Sequence, residues 1–297
     1  MAKPTSASGY DKQVTENCER VLVTLLRGLG PWKESVYLVG GLTPRYLVPK
    51  LTTGKIPHAG TGDVDIVVEL EMLTKTDAYH SLEENLKNMG FERAENDKGE
   101  KQSWRWKAKT EKGVTVILEL LADNPEISGG KVKPLPTEGK ISALNIPHSS
   151  MVFDHHEVKE IRAELLGEKG VAIEKLRYAD LVSFTCLKAF ALDQRHESKD
   201  AHDIVYCLEN AEGGLDAAAK KFRDARSGKH VKVITDALAI LRKRFADDGT
   251  TEGYRKDGSV AVAQFEIDGE GDEVRETRLV RQRAVSDLII RFLKAVG

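Results

Sequence analysis

A glycine pair between an apolar strand and a helix, followed by two aspartates alternating with aliphatic residues, constrains this chain more than any other stretch. Ser35-Val36-Tyr37-Leu38-Val39 is apolar and rich in strand formers, Gly40-Gly41 breaks it, and Leu42 to Leu47 reads as the opening of a helix. Strand, glycine turn and helix in that order leave backbone N–H groups where an anion can sit. Asp63-Val64-Asp65-Ile66-Val67-Val68 then reads as a strand. Side chains on a strand alternate, so Asp63 and Asp65 leave one face while Val64, Ile66 and Val68 pack on the other. Two carboxylates on one face repel each other unless a cation joins them. Mg²⁺ (or Mn²⁺) suits the pair, because such hard ions take oxygen ligands, and Mg²⁺ fills most of its shell with water and substrate phosphates.

The rest of the chain divides by pattern. Glu16 to Leu29 carries Val21, Leu22, Leu25, Leu26 and Leu29 at helical spacing and ends at Gly30-Pro31. Leu51 to Gly62, with Gly54, Pro57, Gly60 and Gly62, reads as a loop into the Asp-x-Asp strand. Asp77 to Met89 is expected to be a helix, with Tyr79, Leu82, Leu86 and Met89 on its apolar face and Gly90 as its stop. Trp104 to Lys107 and Val114 to Leu121 read as a hairpin. Glu119 interrupts the second of these apolar runs, so it faces water, pairs with a cation or binds metal; it is the candidate third carboxylate.

Asn124 to Pro136 is a Gly/Pro-rich loop, and Ile141 to Pro147 a short strand. Helices are expected over Ser149 to Leu166, Tyr178 to Arg195, Lys199 to Glu209, Gly214 to Asp224, Val231 to Asp247 and Arg278 to Val296, with a late strand over Val260 to Ile267. The expected fold is therefore α+β: a mixed α/β half, residues 1–150, and a mostly helical half, residues 151–297, which completes the active site.

With 297 residues the chain has room for two such domains. Nothing approaches the roughly 20 apolar residues of a membrane span, and Met1 to Gly9 lacks the apolar core of a signal peptide. No membrane association and a cytoplasmic location are expected. Cys18, Cys186 and Cys207 are few and widely separated, without metal-ligand spacing, and read as buried or idle thiols. A formal net charge of −2 argues against an overall electrostatic nucleic-acid binder. Between Lys220 and Arg244, however, Lys220, Lys221, Arg223, Arg226, Lys229, Lys232, Arg242, Lys243 and Arg244 face only Asp224 and Asp236. This is either a solvated helix face or a phosphate-backbone footprint.

Two polar groups fall on helices. Lys188 sits mid-helix among Leu181, Phe184, Leu187 and Ala191, with Arg195 on the same adjoining face; its ammonium either snorkels to water or reaches a phosphate. Asp200 and Asp203 open the next helix three residues apart, facing one way, as acids complementing a helix dipole also do.

In order, these segments resemble the polymerase-β-like nucleotidyltransferase superfamily and, more narrowly, the AbiEii/AbiGii family of toxins from type IV toxin–antitoxin systems, which act in phage defence. The resemblance rests on Val39-Gly40-Gly41-Leu42-Thr43, Thr61-Gly62-Asp63-Val64-Asp65-Ile66, Lys188 to Arg195 and Lys199-Asp200-Ala201-His202-Asp203-Ile204, and covers about Ser35 to Asn210. The chain departs from the family pattern in a longer spacer from Gly41 to Asp63 and in a third acid that is Glu.

The resemblance implies transfer of a nucleoside monophosphate from an NTP to an acceptor hydroxyl or phosphate; the basic Lys220 to Arg244 segment points to RNA as acceptor, a tRNA 3′ end being the expected case for a toxin of this family, with a cognate antitoxin as partner. Asp63, Asp65, Glu119, Lys188 and Asp200 would be catalytic, the first three holding metal. Gly40, Gly41, Arg45, Thr61, Arg195 and Asp203 would bind nucleotide. Adenylylation of a protein or small molecule, or nucleotide-dependent regulation without catalysis, remain alternatives.

Overall fold

The first helix, α1 (Lys12–Leu29), forms where an apolar stripe meets good terminal signals: the Asp11 carboxylate accepts from the Gln13 N–H at 2.7 Å, and Gly30, at φ +58°, ends it. The computed structural model describes residues 4–48, 51, 57–75 and 81–297. A turn of 3-10 helix leads into β1 (Val36–Val39), a second 3-10 turn spans Gly40–Leu42, and α2 (Pro44–Leu47) follows. Next come β2 (Asp63–Val68), α3 (Leu70–Lys75) and α4 (Leu82–Asn88). A capping box of Ser81 and Glu84 starts α4, and Gly90, at φ +87°, lies just past its end. Asp77 and Tyr79 of the expected helix, and Gly54 of the expected loop, lie outside the described residues.

Among the described residues, seven further strands complete a mixed sheet: β3 (Glu92–Glu95), β4 (Lys101–Lys109), β5 (Thr115–Ala122), β6 (Val132–Pro134), β7 (Ser142–Asn145), β8 (His156–Glu164) and β9 (Val171–Ala179). The main order is β3-β4-β5-β2-β1-β9-β8, and β7 pairs with both β5 and β6. β2 is antiparallel to β1 and parallel to β5, so both of its edges are occupied and its alternate side chains Val64 and Ile66 are buried.

The remaining helices are α5 (Leu181–Arg195), α6 (Ser198–Glu209), α7 (Gly214–Ala225), α8 (Val231–Phe245), α9 (Asp257–Glu266) and α10 (Asp272–Val296). The chain is thus α+β, a mixed sheet with flanking helices and a helix-rich C-terminal part. It forms two units. The sheet unit comprises residues 11–43 and 60–180; the helical unit comprises residues 1–10, 44–59 and 181–297.

In the sheet unit, α1 packs on β8, β9 and α4 through buried Val21, Leu22, Leu25 and Leu26. In the helical unit, α6 packs on α5 and α9, and α10 on α7 and α9; Phe222 and Phe292 meet edge to face, with ring centroids 5.0 Å apart. Cys18, Cys186 and Cys207 are buried and form no disulfide among the described residues, as expected for buried thiols. Among the described residues, no helix is long and apolar enough to cross a membrane.

Besides β6, which falls inside the expected loop over Asn124 to Pro136 and pairs with β7, three expectations change. The helix over Ser149 to Leu166 is instead a 3-10 turn, Ser149–Phe153, followed by β8. The helix-forming Glu, Lys, Arg and Ala residues of β8 are overridden by pairing with β9 along its whole length, from His156 opposite Ala179 to Glu164 opposite Val171. Gly167 and Gly170, both at positive φ, make the intervening turn. Because β9 also pairs with β1, this hairpin belongs to the sheet unit, which extends to Asp180 and not to residue 150. Finally, the apolar run Val260 to Ile267 is helical: Ser259, Val262, Ala263 and Phe265 are buried at helical spacing, an outcome a short apolar run does not distinguish from a strand.

Candidate functional site

The carboxylates of the sheet unit are arranged by strand register. Asp63 and Asp65 are half-buried while Val64 and Ile66 are buried, so the two acids share one face of β2. In the parallel pairing with β5, Asp65 stands beside Glu119, and in the antiparallel pairing of β4 with β5, Arg105 stands on the other side of Glu119. The Arg105 Nε lies 2.9 Å from Glu119 Oε1, so the charge inside the apolar strand pairs with a cation. Asp63 and Asp65 also lie close to Cys18, whose thiol pKa is pushed up first by burial and then by these two negative charges.

On the opposite flank Val39 of β1 faces Asp65, which brings the following glycine against that carboxylate. Gly40 has φ +71°, and a Cβ added there would sit 2.7 Å from Asp65 Cγ and 2.8 Å from its Cβ, and nearer still to Oδ2. Backbone conformation and space therefore both require glycine. Gly41 is buried within the turn, which closes through the Thr43 N–H donating to the Gly40 carbonyl at 3.2 Å.

Thr61 is also buried. Its hydroxyl accepts from the Asp63 N–H at 3.3 Å, and its own N–H donates to Thr15 Oγ1 at 3.0 Å, so it anchors the start of the aspartate strand. Oxygen donors alone make this face chemically suited to a hard divalent cation.

The helical unit holds a different kind of cluster. Lys188 is buried on α5, with its Nζ 2.8 Å from Asp200 Oδ1 and 2.6 Å from Asp203 Oδ2. The three-residue spacing at the start of α6 points both acids the same way. Arg195 donates to Asp200 through two nitrogens, at 2.7 and 2.8 Å, and Lys199 donates to Asp203 at 2.9 and 3.1 Å. His58 Nε2 is 2.8 Å from Asp203 Oδ1. The left-handed backbone of His196, φ +54°, lies in the connection between α5 and α6.

These contacts set the charges. Burial opposes the ammonium of Lys188, but Asp200 and Asp203 outweigh it and its pKa is raised. For Asp200, burial is outweighed by Lys188 and Arg195; for Asp203, by Lys188 and Lys199; both carboxyls are held below their ordinary range. Burial prevails at Lys199, lowering its pKa, and at His58, lowering it to about 4 despite the Asp203 contact.

The ammonium of Lys188 reaches Asp200 and Asp203. Arg195 and Asp203 are likewise engaged inside this network. Arg45 is exposed on α2 in the helical unit. The basic stretch is also tied up in part: Lys220 pairs with Asp224, Lys232 with Asp236, and Lys243 and Arg244 with Asp193, while Arg223 and Arg226 donate to the carbonyls of Ala295 and Gly297. This favours the solvated, internally paired face over a phosphate footprint.

His58 carries no spacing signal, since it joins Asp203 across 145 positions. Its position in a glycine- and proline-rich loop, and an acid flanked by histidine at His202-Asp203, were the only hints. Among the described residues, His58, His202 and Asp203 form a group of three that offers ligand atoms all within 4.8 Å of one another. No protein-family model matches the sequence, and no curated protein matches it.

Proposed function

We propose that the chain is a metal-dependent nucleotidyltransferase of the polymerase-β-like kind, in the AbiEii/AbiGii branch, transferring a nucleoside monophosphate from an NTP to an RNA hydroxyl. The observation that carries this reading is the adjacency of Gly40, Asp65 and Glu119 across β1, β2 and β5. A tight glycine turn beside carboxylates on one face matches the needs of a triphosphate and its cation. Asp63 and Asp65 would hold a divalent cation, with Glu119 beside them, and the cation supplies charge stabilisation at phosphate and a lowered pKa for the attacking hydroxyl.

The chain's own groups do the rest. Glycine at position 40 permits close approach of backbone and ligand, Thr61 fixes the start of the aspartate strand, and Arg105 orients Glu119 to accept the hydroxyl proton. The acceptor oxygen bonds to the α-phosphorus as the bond to the bridging oxygen breaks, and pyrophosphate leaves. Asp200 holds Lys188 by an ion pair within the helical unit, and a catalytic part for either residue rests on the family resemblance alone. A tRNA 3′ end as acceptor and a cognate antitoxin rest on the family resemblance alone.

Incubation with α-labelled NTPs, Mg²⁺ and total RNA tests the reading. Labelled RNA is expected, with transfer reduced at least about a hundredfold in Asp65→Ala, since the lost charge stabilisation is worth several kcal/mol. No transfer, or equal transfer by the variant, overturns it. Label on protein or a small molecule would move the acceptor class.

A further inference from the structure

The helical unit contains a second polar site that the proposed transfer chemistry does not use. His202 is 5% exposed, and its two ring nitrogens have different surroundings. Nδ1 lies 2.9 Å from Glu266 Oε1, while Nε2 is buried with no hydrogen-bond partner among the described residues. Glu266 is itself fixed, accepting from Arg281 Nε at 2.6 Å and from its Nη2 at 3.1 Å. A carboxylate that accepts the proton of one imidazole nitrogen leaves the lone pair on the other, and this is the arrangement that orients a metal-ligating histidine. A buried lone pair with nothing to accept is otherwise unfavourable.

The orphaned nitrogen has suitable company. The ring of His58 stacks on that of His202, with centroids 5.4 Å apart and planes inclined by 26°, and Asp203 follows His202 in α6. Tyr206 and Phe265 pack against the two imidazoles, 5.0 Å from His58 and from His202 respectively. Two imidazole nitrogens and one carboxylate oxygen within 4.8 Å form a donor set for a borderline ion such as Zn²⁺ or Co²⁺, and a poor one for Mg²⁺.

We infer that His58, His202 and Asp203 form a binding site for a divalent transition-metal ion, with Zn²⁺ as its natural occupant and Glu266 as the group that orients His202. The site is independent of the carboxylates on β2 and β5. Occupation replaces the His58–Asp203 hydrogen bond at 2.8 Å by two metal–ligand bonds. Lys188 and Lys199, both on Asp203, oppose a dication and moderate its affinity. Linking the 44–59 segment to α6 through a metal would stabilise the helical unit.

The test is metal binding by the full chain after chelation and dialysis, read by Co²⁺ absorption in the visible range, by Zn²⁺ stoichiometry and by thermal melting. With Mg²⁺ in excess to fill the oxygen-donor face of β2, one Zn²⁺ per chain and a raised Tm are expected. His58→Gln, which keeps a side chain able to hydrogen-bond Asp203, should lose binding while folding normally. Glu266→Gln should weaken it about 10- to 100-fold. Asp65→Ala should bind like the parent chain. Absence of Co²⁺ bands and of retained Zn²⁺, equal binding by His58→Gln, or loss of binding in Asp65→Ala each overturns the assignment; none of these outcomes depends on label transfer to RNA.

Discussion

The carboxylates of the sheet unit and those of the helical unit are the same functional groups in opposite circumstances. Asp63, Asp65 and Glu119 lie half-buried at neighbouring register positions of a sheet, with Arg105 on Glu119. Asp200 and Asp203 are almost wholly buried and surrounded by Lys188, Arg195, Lys199 and His58. A like-charged set at half-buried positions is suited to receive a cation from solution. A buried set already matched by cations holds structure together, because each charge there is tolerated only while its partners remain. Catalysis and folding should therefore respond to substitutions in opposite patterns in the two regions.

Lys188→Met should break that contrast most severely. It strands Asp200 and Asp203 with less positive charge in a buried setting, and a loss of about 3–5 kcal/mol is expected in urea unfolding. An unchanged midpoint would mean that the ammonium is not a structural partner. Asp63→Asn, by comparison, should leave the midpoint within about 1 kcal/mol while abolishing transfer, since its side chain is half-buried at the start of β2.

Gly40→Ala lies between these extremes. A residue forced to φ +71° with its Cβ against the Asp65 carboxylate should lose about 1–3 kcal/mol of stability and displace the aspartate. Activity should fall more than stability, so a variant that melts lower yet transfers label at the parent rate would separate the glycine turn from the site.

A smaller change is expected at high pH. Tyr37 of β1 donates to Glu69 at 3.1 Å, and burial followed by the Glu69 charge pushes its pKa up to about 12. The unfolded chain releases that proton near pH 10. Between about pH 10 and 12 the folded state binds more protons than the unfolded one, so stability falls as pH rises through this window. Tyr37→Phe should flatten that part of the curve, measured by chemical unfolding at pH 9, 10 and 11.

The smallest effect on stability belongs to Arg105→Ala. Its partly exposed pair with Glu119 is worth about 0.2–1 kcal/mol. Transfer should suffer more than folding if Arg105 orients Glu119, and a normal rate would remove that role.

Much of the sheet unit was legible because its information is local. Alternation set the face of Asp63 and Asp65, a glycine pair ended β1, and one charge in an apolar strand marked Glu119. The hairpin β8–β9 was not legible, because residues with helical preference form strands there only through partners up to 23 positions away, as in the pairing of His156 with Ala179. In the helical unit, spacing alone put Asp200 and Asp203 on one face, but it left the destination of Lys188 open between water and phosphate.

The sequence by itself determined the aspartate strand, the glycine turn before it and the two acids at the start of α6, since each follows from side-chain period or backbone freedom within a few residues. Only the tertiary structure decided that Glu119 stands beside Asp65, that Gly40 must be glycine because a carboxylate occupies its Cβ position, and that His58 meets Asp203. Those relations come from strand register and chain return. Neither leaves a periodic trace in the sequence, because the residues that meet are selected by the packing of whole elements.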